Sequence, residues 1–561
     1  MKKLYRHILK SDTRSDTVDS IFHSANGTRN ITEMKAEQVL ENIQANILAT
    51  DTNIMDNHQL IILGASGDLA SKKIYPSIWQ LYKQSLLPSK VTFIGYARSD
   101  INVSKIRKNI ERYCKVNGDE ETKLFNEYMQ KNYYVRGSYD KPEDFKKLHK
   151  FLNEHQETDI CHRIFYLALP PLVYEDVCTL ISSYCRPAHS NKSWIRVIIE
   201  KPFGKDLSSS DKLEAGIKKH LDEKEIYRID HYLGKEMVQS LIMLRFANQI
   251  FSKTWNRDSI KCVLITFKEN IGTLGRGGYF DQYGIIRDVM QNHLLQIMCV
   301  VAMEPPVSLA ADDIRNEKVK VLRSVRNVEY ENVLVGQYVG NPNGTNVDQR
   351  TSYVDDESVK NNNTRTPTFA CTVLYIDNER WSGVPFILKC GKALNERKTE
   401  IRVQFKASVN NDLFRRNTDS NIALHEKSRD ELVIRVQPDE AIYLKIINKK
   451  PGWDFKAEQT ELDLTYHERY NDHNLLPDAY ERLILDVFVG TQANFVRSDE
   501  LHEAWKIFTP VLNHIEKNVS PDSYTFGDRT LKGADDLCKK VGFVYSSQYE
   551  WPGKRSNLIL K

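Results

Sequence analysis

The stretch Leu60-Ile61-Ile62-Leu63-Gly64-Ala65-Ser66-Gly67-Asp68-Leu69-Ala70 decides how this chain begins to fold. Its first four residues are an unbroken apolar run, the mark of a strand buried on both faces. Gly64 permits a tight turn, Gly67 lets a phosphate approach the backbone, and Ala70 allows a helix to pack close to the strand. A pyrophosphate would then rest on the N-terminus of the helix that follows. The spacing G-x-x-G-x-x-A is a variant of the dinucleotide fingerprint, and the same residues also suit a turn that binds nothing. A mononucleotide P-loop is excluded, because Leu69 stands where its second glycine belongs.

Outward from this turn, apolar residues recur at helical spacing as far as Leu81. Short apolar runs follow at 91–96, 164–169 and 197–199, each with helical segments nearby. Strands alternating with helices predict a parallel, doubly wound sheet. At the end of the second strand an NAD site would place an acid for the ribose diol. Here Tyr96-Ala97-Arg98-Ser99 offers Arg98, with Lys72 or Lys73 nearby, which suits a 2′-phosphate and hence NADP. A solvated arginine at a strand end is the other reading.

Beyond residue 230 the pattern changes. Ile401, Val403 and Phe405 alternate with Arg402 and Gln404, and 432–437, 441–446 and 462–466 alternate likewise. Such strands are antiparallel with one buried face. Helical patterns return at 286–303, 478–489 and 501–515. The fold class expected is an α/β Rossmann-type dinucleotide-binding domain plus a large α+β domain with a mostly antiparallel sheet. The boundaries expected are a polar, mobile arm over 1–57, a nucleotide domain over 58–229 and the larger domain over 230–561. Loops are expected at 341–364 and 410–428.

Composition narrows the partners. The 561 residues carry 79 Lys and Arg against 75 Asp and Glu, a net charge of +4, too small for a dominant nucleic-acid-binding role. No apolar window approaches the roughly 18 residues of a membrane span. Nine cysteines without a Cys-x-x-Cys pair predict reduced thiols and a cytoplasmic setting. Lys2, Lys3, Arg6 and Lys10, with no acid among them, leave organelle import open.

Three further segments carry candidate chemistry. In Val197-Ile198-Ile199-Glu200-Lys201-Pro202, proline holds Lys201 extended at the carboxyl end of a strand, and the Lys201–Pro202 bond can be cis. That end is where α/β sheets bind ligands; an ordinary loop lysine is the alternative. In Asp230-His231-Tyr232-Leu233-Gly234-Lys235, a helix starting near Asp230 would set His231 and Lys235 on one face as a phosphate clamp. An N-cap followed by a solvated turn also fits. In Gly284–Leu295, Asp288, Asn292 and His293 project near each other from a helix with an apolar face, and His293 is either a base or a satisfied core residue. No second His or Cys stands at metal-ligand spacing, so no metal is expected.

Taken together, GASGDLA, GYARS, YLALPP, EKPFG, RIDHYLGKE, GRGGYFD, GIIRDVMQNHLLQ, CGKALNERK and ELDLTY closely resemble the glucose-6-phosphate dehydrogenase family in its long, animal-like form. The resemblance runs from about Leu60 to Trp551. It implies oxidation of glucose 6-phosphate at C1 to 6-phosphogluconolactone, with the hydride passing to NADP, the first step of the oxidative pentose phosphate pathway. It assigns His293 as the general base and Asp230 as the group that orients it. Lys201, His231, Tyr232, Lys235, Glu269, Asp288, Lys392, Arg397 and Gln437 match its sugar-phosphate contacts. Gly64, Ala65, Ser66, Gly67, Asp68, Leu69, Ala70, Lys73, Arg98, Tyr166 and Lys201 match its catalytic NADP site.

The resemblance also implies a homodimer or homotetramer and a second, structural NADP in the larger domain. Lys389, Lys398, Arg402, Arg435, Tyr443, Lys445, Asp463, Thr465, Arg529, Tyr545 and Trp551 match that site. Tyr443 and Lys445 share a strand face, as do Asp463 and Thr465. Three departures stand out. Lys389 replaces an arginine, which removes one bidentate phosphate contact. Asn270-Ile271 replaces Pro-Phe beside Glu269, and Leu274 replaces an acid in the turn before Arg276.

Overall fold

A computed structural model describes residues 56–188, 192–361, 363–408, 429–453, 457–466, 469 and 476–545. The arm expected over 1–57 lies outside the described residues up to residue 55, as do the 410–428 loop and Trp551. Asn57 is no part of an arm: it opens the first strand and pairs with Cys161.

Six parallel strands form the first sheet: β1 (Asn57–Leu63), β2 (Val91–Ala97), β3 (Asn132–Arg136), β4 (Cys161–Leu167), β5 (Ile195–Ile199) and β6 (Ile226–Arg228). Their order is β3-β2-β1-β4-β5-β6, the doubly wound order whose direction reverses between β1 and β4. Every residue of β1 is buried, because alternate side chains enter different cores. Leu60 and Ile62 join the cluster under the helix Tyr75–Lys83, while Ile61 and Leu63 face Phe145, Leu148 and Val177. Trp79, fully buried, anchors the first of these layers, its indole N–H donating to Cys114 O at 3.1 Å. Truncating it to alanine costs about 3–5 kcal/mol.

Nine strands form the second sheet: β7 (Ile260–Lys268), β8 (Val333–Val339), β9 (Phe369–Tyr375), β10 (Pro385–Gly391), β11 (Lys398–Phe405), β12 (Glu431–Gln437), β13 (Ala441–Lys449), β14 (Ala457–Thr465) and β15 (Asp522–Thr525). The order is β14-β13-β12-β11-β7-β10-β9-β8-β15. Only β7–β10 and β8–β15 pair in parallel, so the sheet is mostly antiparallel, as expected. The simple inside–outside alternation of β11 does not hold throughout. Ile401 and Val403 are buried, but so is Gln404, whose amide donates to Glu431 and to Val544 O, while Phe405 is half-buried. Chain from the far end covers that face, which a strand's own sequence cannot reveal.

The expected boundary at 229/230 is crossed late in the chain. The helix Ala479–Val489 sends Leu483, Ile484, Val487 and Phe488 into the core of the first sheet. Arg196 of β5 closes its C-terminal end, donating to Val487 O at 2.6 Å and Phe488 O at 2.9 Å. The helix Ser498–Asn518 packs in turn on Leu207–Lys218.

Candidate active site

The turn after β1 has the predicted form. Gly64 adopts φ +86°, and a Cβ there would lie 2.2 Å from Ala168 O of the loop after β4. Only glycine lets the two strand ends close this tightly at the switch point. Gly67 N–H donates back to Gly64 O at 2.9 Å, and Ser66 Oγ meets Ser99 Oγ at 3.0 Å. Arg98 is exposed at the end of β2, its guanidinium 5.4 Å from the Tyr139 ring centroid. Of the lysines expected near it, Lys72 pairs with Asp68 at 2.8 Å, and Lys73 reaches Asp478 at 3.5 Å. The cation beside Arg98 is Arg136, bonded to Arg98 O. Tyr166 also stands apart from this group. It is fully buried, and its hydroxyl donates to Glu200 Oε1 at 2.6 Å.

Next to the carboxyl ends of β5 and β6 opens a cavity of about 890 Å³. Lys201, His231, Tyr232, Lys235, Glu269, Asp288, Lys392, Arg397 and Gln437 all line it, as does His293. Six separate stretches of chain thus supply one chamber. Lys201 leaves β5 through a cis bond to Pro202 and donates to Asp288 O at 2.5 Å and Asp288 Oδ1 at 3.0 Å. Lys392 reaches Glu269 Oε2 at 2.5 Å and Asp288 Oδ2 at 3.7 Å. Burial works against the Asp288 charge, but Lys201 and Lys392 prevail and hold its carboxyl well below the usual range.

The segment from Asp230 to Gly234 is turn rather than helix. The helix is Glu236–Phe246, with Lys235 as its N-cap residue. Gly234 explains the delay, because a Cβ there would sit 2.6 Å from Ala479 O of the late helix. His231 and Lys235 therefore meet at the cavity through a turn, not a shared helical face. Nor is His231 a second cation: burial first, then His293, Lys201, Lys235 and Lys73, push its imidazole well below the ordinary range. It stacks on Tyr480, centroids 5.8 Å apart at 14°. Tyr232 accepts from Gln437 at 2.7 Å and meets Thr399 Oγ1 at 3.2 Å.

His293 comes from Ile286–Leu294, a π-helix leading directly into the α-helix Leu295–Ala302. The wider turn places residues five apart on one face, so Asp288 and His293 both face the chamber. Asn292 instead turns back to donate to Arg287 O. His293 Nδ1 lies 2.5 Å from Asp230 Oδ1, with both side chains almost wholly buried. That bond fixes the proton on Nδ1 and turns the Nε2 lone pair toward the cavity. Burial lowers the His293 pKa and Asp230 opposes it, with the net position below its ordinary value. The imidazole is therefore neutral at pH 7 and able to accept a proton. Asp230 keeps its charge despite burial, through His293, the Tyr232 N–H at 3.0 Å and Lys201.

His231 also completes a grouping that linear spacing hid. Asp230, His231 and His293 bring one potential metal-ligand atom each to within 4.8 Å of one another. Asp230 Oδ1 and His293 Nδ1 are already committed to each other, and the arrangement is that of an oriented base. Sequence reading also missed Tyr480, Asp478, Thr399 and Glu200. Tyr480 and Asp478 arrive from the late helix, and nothing near them in sequence marks a site. Burial raises the Glu200 carboxyl to about 7, against hydrogen bonds from Tyr166 and Tyr480.

On the second sheet, strand register sets Lys389, Arg402, Arg435, Tyr443, Asp463 and Thr465 on one face. Lys398 and Lys445 share it. Lys389 Nζ donates to Tyr545 Oη at 2.7 Å, and the Arg529 guanidinium lies 5.2 Å from the same ring. Acids are interspersed: Arg402 meets Glu400 at 2.8 Å, Lys445 meets Glu431 at 3.1 Å, and Lys398 meets Glu396 at 3.0 Å.

A doubly wound sheet with an oriented, neutral imidazole above a cationic chamber defines a nicotinamide-nucleotide-dependent dehydrogenase acting on an anionic substrate. Comparison with known proteins makes this specific. Residues 61–240 match the family model "Glucose-6-phosphate dehydrogenase, NAD binding domain", and residues 242–551 match "Glucose-6-phosphate dehydrogenase, C-terminal domain". The glucose-6-phosphate 1-dehydrogenase of Drosophila melanogaster is 54% identical over 500 residues, covering 89% of this chain and 92% of the relative. The mouse glucose-6-phosphate 1-dehydrogenase 2 is 52% identical over 497 residues, 88% of this chain and 93% of its own. A solved glucose-6-phosphate dehydrogenase in complex with its substrate glucose-6-phosphate superposes with TM-score 0.79 at 42% identity, covering 88% and 99% of the two chains. The chain belongs to the glucose-6-phosphate dehydrogenase family.

Proposed function

We propose that this chain oxidises D-glucose 6-phosphate at C1 to 6-phospho-D-glucono-1,5-lactone, with His293 as general base, Asp230 as its orienting group and NADP as hydride acceptor. The observation that carries this reading is the 2.5 Å His293–Asp230 pair at the wall of the chamber. His293 Nε2 takes the proton from the C1 hydroxyl, and Asp230 stabilises the imidazolium that forms. Lys235 and the neutral N–H of His231 hold the phosphate. Lys201, already anchored on Asp288, lies between sugar and nucleotide. Glu269, Asp288, Lys392, Arg397 and Gln437 hold the sugar hydroxyls and keep the ring in one orientation.

NADP fits the turn at Gly64: the close approach of β1 and β4 there leaves backbone rather than side chain facing a pyrophosphate, and Arg98 suits the 2′-phosphate. When bound, it supplies the hydride acceptor. A second NADP is supported by the single sheet face on which Lys398, Arg402, Arg435, Tyr443 and Lys445 converge, with Lys389 and Tyr545 at its edge. The functional division is a nucleotide-binding part over 58–229 and a substrate-, structural-cofactor- and subunit-binding part over 230–561. The assembly is a homodimer or homotetramer in a reducing cytoplasm, a setting supported by nine cysteines that are all free.

The deciding experiment follows NADPH absorbance with purified chain, glucose 6-phosphate and NADP. Turnover is expected, with His293→Asn lowering kcat by orders of magnitude while sugar binding survives. Absent turnover from pH 6 to 9, with NADP still bound, would overturn the reading. Tightly bound NADP counted per chain tests the second site, and light scattering tests the assembly.

A further inference from the structure

Arg287, the residue before Asp288, lines the chamber, yet its guanidinium is bonded to protein on three sides. Nε donates to Lys205 O at 2.7 Å, Nη1 donates to Tyr283 O at 3.3 Å, and Nη1 meets Glu516 Oε1 at 2.6 Å. Lys205 closes the short loop that Lys201 opens. Two consecutive residues of the π-helix thus hold the two ends of that loop: Asp288 accepts from the Lys201 ammonium, and Arg287 donates to the Lys205 carbonyl. The helix Ser498–Asn518 backs the same arrangement. Its Trp505, Thr509 and Glu516 follow at intervals of four and seven residues and so share one face. Trp505 Nε1 donates to Phe203 O at 2.9 Å, Leu207 N–H donates to Thr509 Oγ1 at 3.0 Å, and Glu516 takes Arg287. Glu516 is 52% exposed and does not line the chamber.

We propose that Arg287 is a positioning residue for the oxidation: with Glu516 it holds the Lys201–Lys205 loop in register with the π-helix, so that the Lys201 ammonium keeps a fixed place relative to His293. This rests on the reading of Lys201 as the group between sugar and nucleotide. A lysine is a point charge on a flexible stem, so its bond to Asp288 alone leaves the Lys201 backbone free to shift. The planar guanidinium fixes more, because it binds a backbone carbonyl and a carboxylate at once. Arg287 and His293 belong to the same π-helix, so a loop tied to Arg287 is tied to the base as well. Glu516 then joins both to a helix of 21 residues, which is a rigid support. A reacting group displaced by about 1 Å costs up to about a hundredfold in rate, so slack in this loop is read directly in turnover.

The test combines hydrogen exchange with steady-state kinetics on the full chain. In Arg287→Ala the amides of residues 203–207 should exchange about tenfold faster or more, a reading that needs no turnover. In the same variant kcat should fall roughly 10- to 100-fold. Free guanidinium ion at non-denaturing concentration should recover part of that loss, since the cavity of about 260 Å³ lined by Arg287 and Glu516 has room for it. In a Lys201→Met background, adding Arg287→Ala should change kcat/KM by less than about twofold, because both substitutions act through one group. Glu516→Gln, at an exposed position, should shift exchange and kcat in the same direction but less. Unchanged exchange in Arg287→Ala, no recovery with guanidinium, or additive losses in the double variant would overturn the proposal. If Arg287→Ala does not fold, Glu516→Gln decides, and parent-like exchange and kcat there overturn it. A parent chain without turnover defeats the proposed function instead, and the exchange comparison still decides whether Arg287 holds the loop.

Discussion

Replacing Asp230 with asparagine tests the catalytic dyad most directly. The substitution keeps size and shape, yet alters His293 in two ways. An amide presents N–H where the carboxylate accepted a proton, which favours the tautomer with hydrogen on Nε2 and no lone pair facing the sugar. It also removes the negative charge that meets the imidazolium as the C1 proton is taken. With charges about 4 Å apart and an effective dielectric near 20, that attraction is about 4 kcal/mol. At 1.36 kcal/mol per factor of ten, kcat should fall about a thousandfold. Asp230 is buried behind His293 and does not line the chamber, so KM for glucose 6-phosphate should move less than threefold. The acid limb of the pH profile should also move down, because the variant loses the charge that holds the imidazole pKa up. Steady-state kinetics from pH 5 to 9 reads all three effects. A kcat within tenfold of the parent, or a loss confined to KM, would refute the dyad as drawn.

Three further outcomes follow from the same geometry. Lys235→Met removes a charged phosphate contact of about 1.5–3 kcal/mol, so KM for the sugar phosphate should rise roughly 10- to 150-fold while NADP affinity, read by fluorescence, is unchanged. Arg98→Asp should reverse the preference between NADP and NAD, measured as the ratio of kcat/KM; an unchanged ratio removes Arg98 from the 2′-phosphate. Glu200, raised to about 7, binds its proton more tightly folded than unfolded, so it adds a stability that is complete at low pH and lost as pH rises toward 7. Thermal melting between pH 5 and 7 should therefore fall more steeply in the parent than in Glu200→Gln, by up to about 1.4 kcal/mol per pH unit; parallel slopes would contradict the raised carboxyl.

Much of the site was legible because its signals are local. Gly64 needs its neighbours only, and Pro202 constrains Lys201 within two residues. Family-specific strings pointed to nine residues as sugar-phosphate contacts, and all nine line one chamber. Other expectations failed where distant chain intervened. The helix expected at Asp230 starts at Glu236 because Gly234 packs on Ala479. Gln404 is buried because Val544 covers it. Lys73 pairs with Asp478, the N-cap residue of the late helix, which no local signal marks.

What the sequence determined by itself is therefore what short-range sterics and periodicity can encode: a buried parallel strand, a glycine turn at its end, a later sheet with alternating faces, and a lysine held extended before Pro202. What only the tertiary structure decided depends on which distant surfaces meet. It set the π-helical face that brings His293 and Asp288 to one chamber, the Tyr480 stack on His231, and the strand register that gathers the basic residues of the second sheet. Burial and neighbouring charge set the protonation of such groups, and both exist only after the chain has closed on itself.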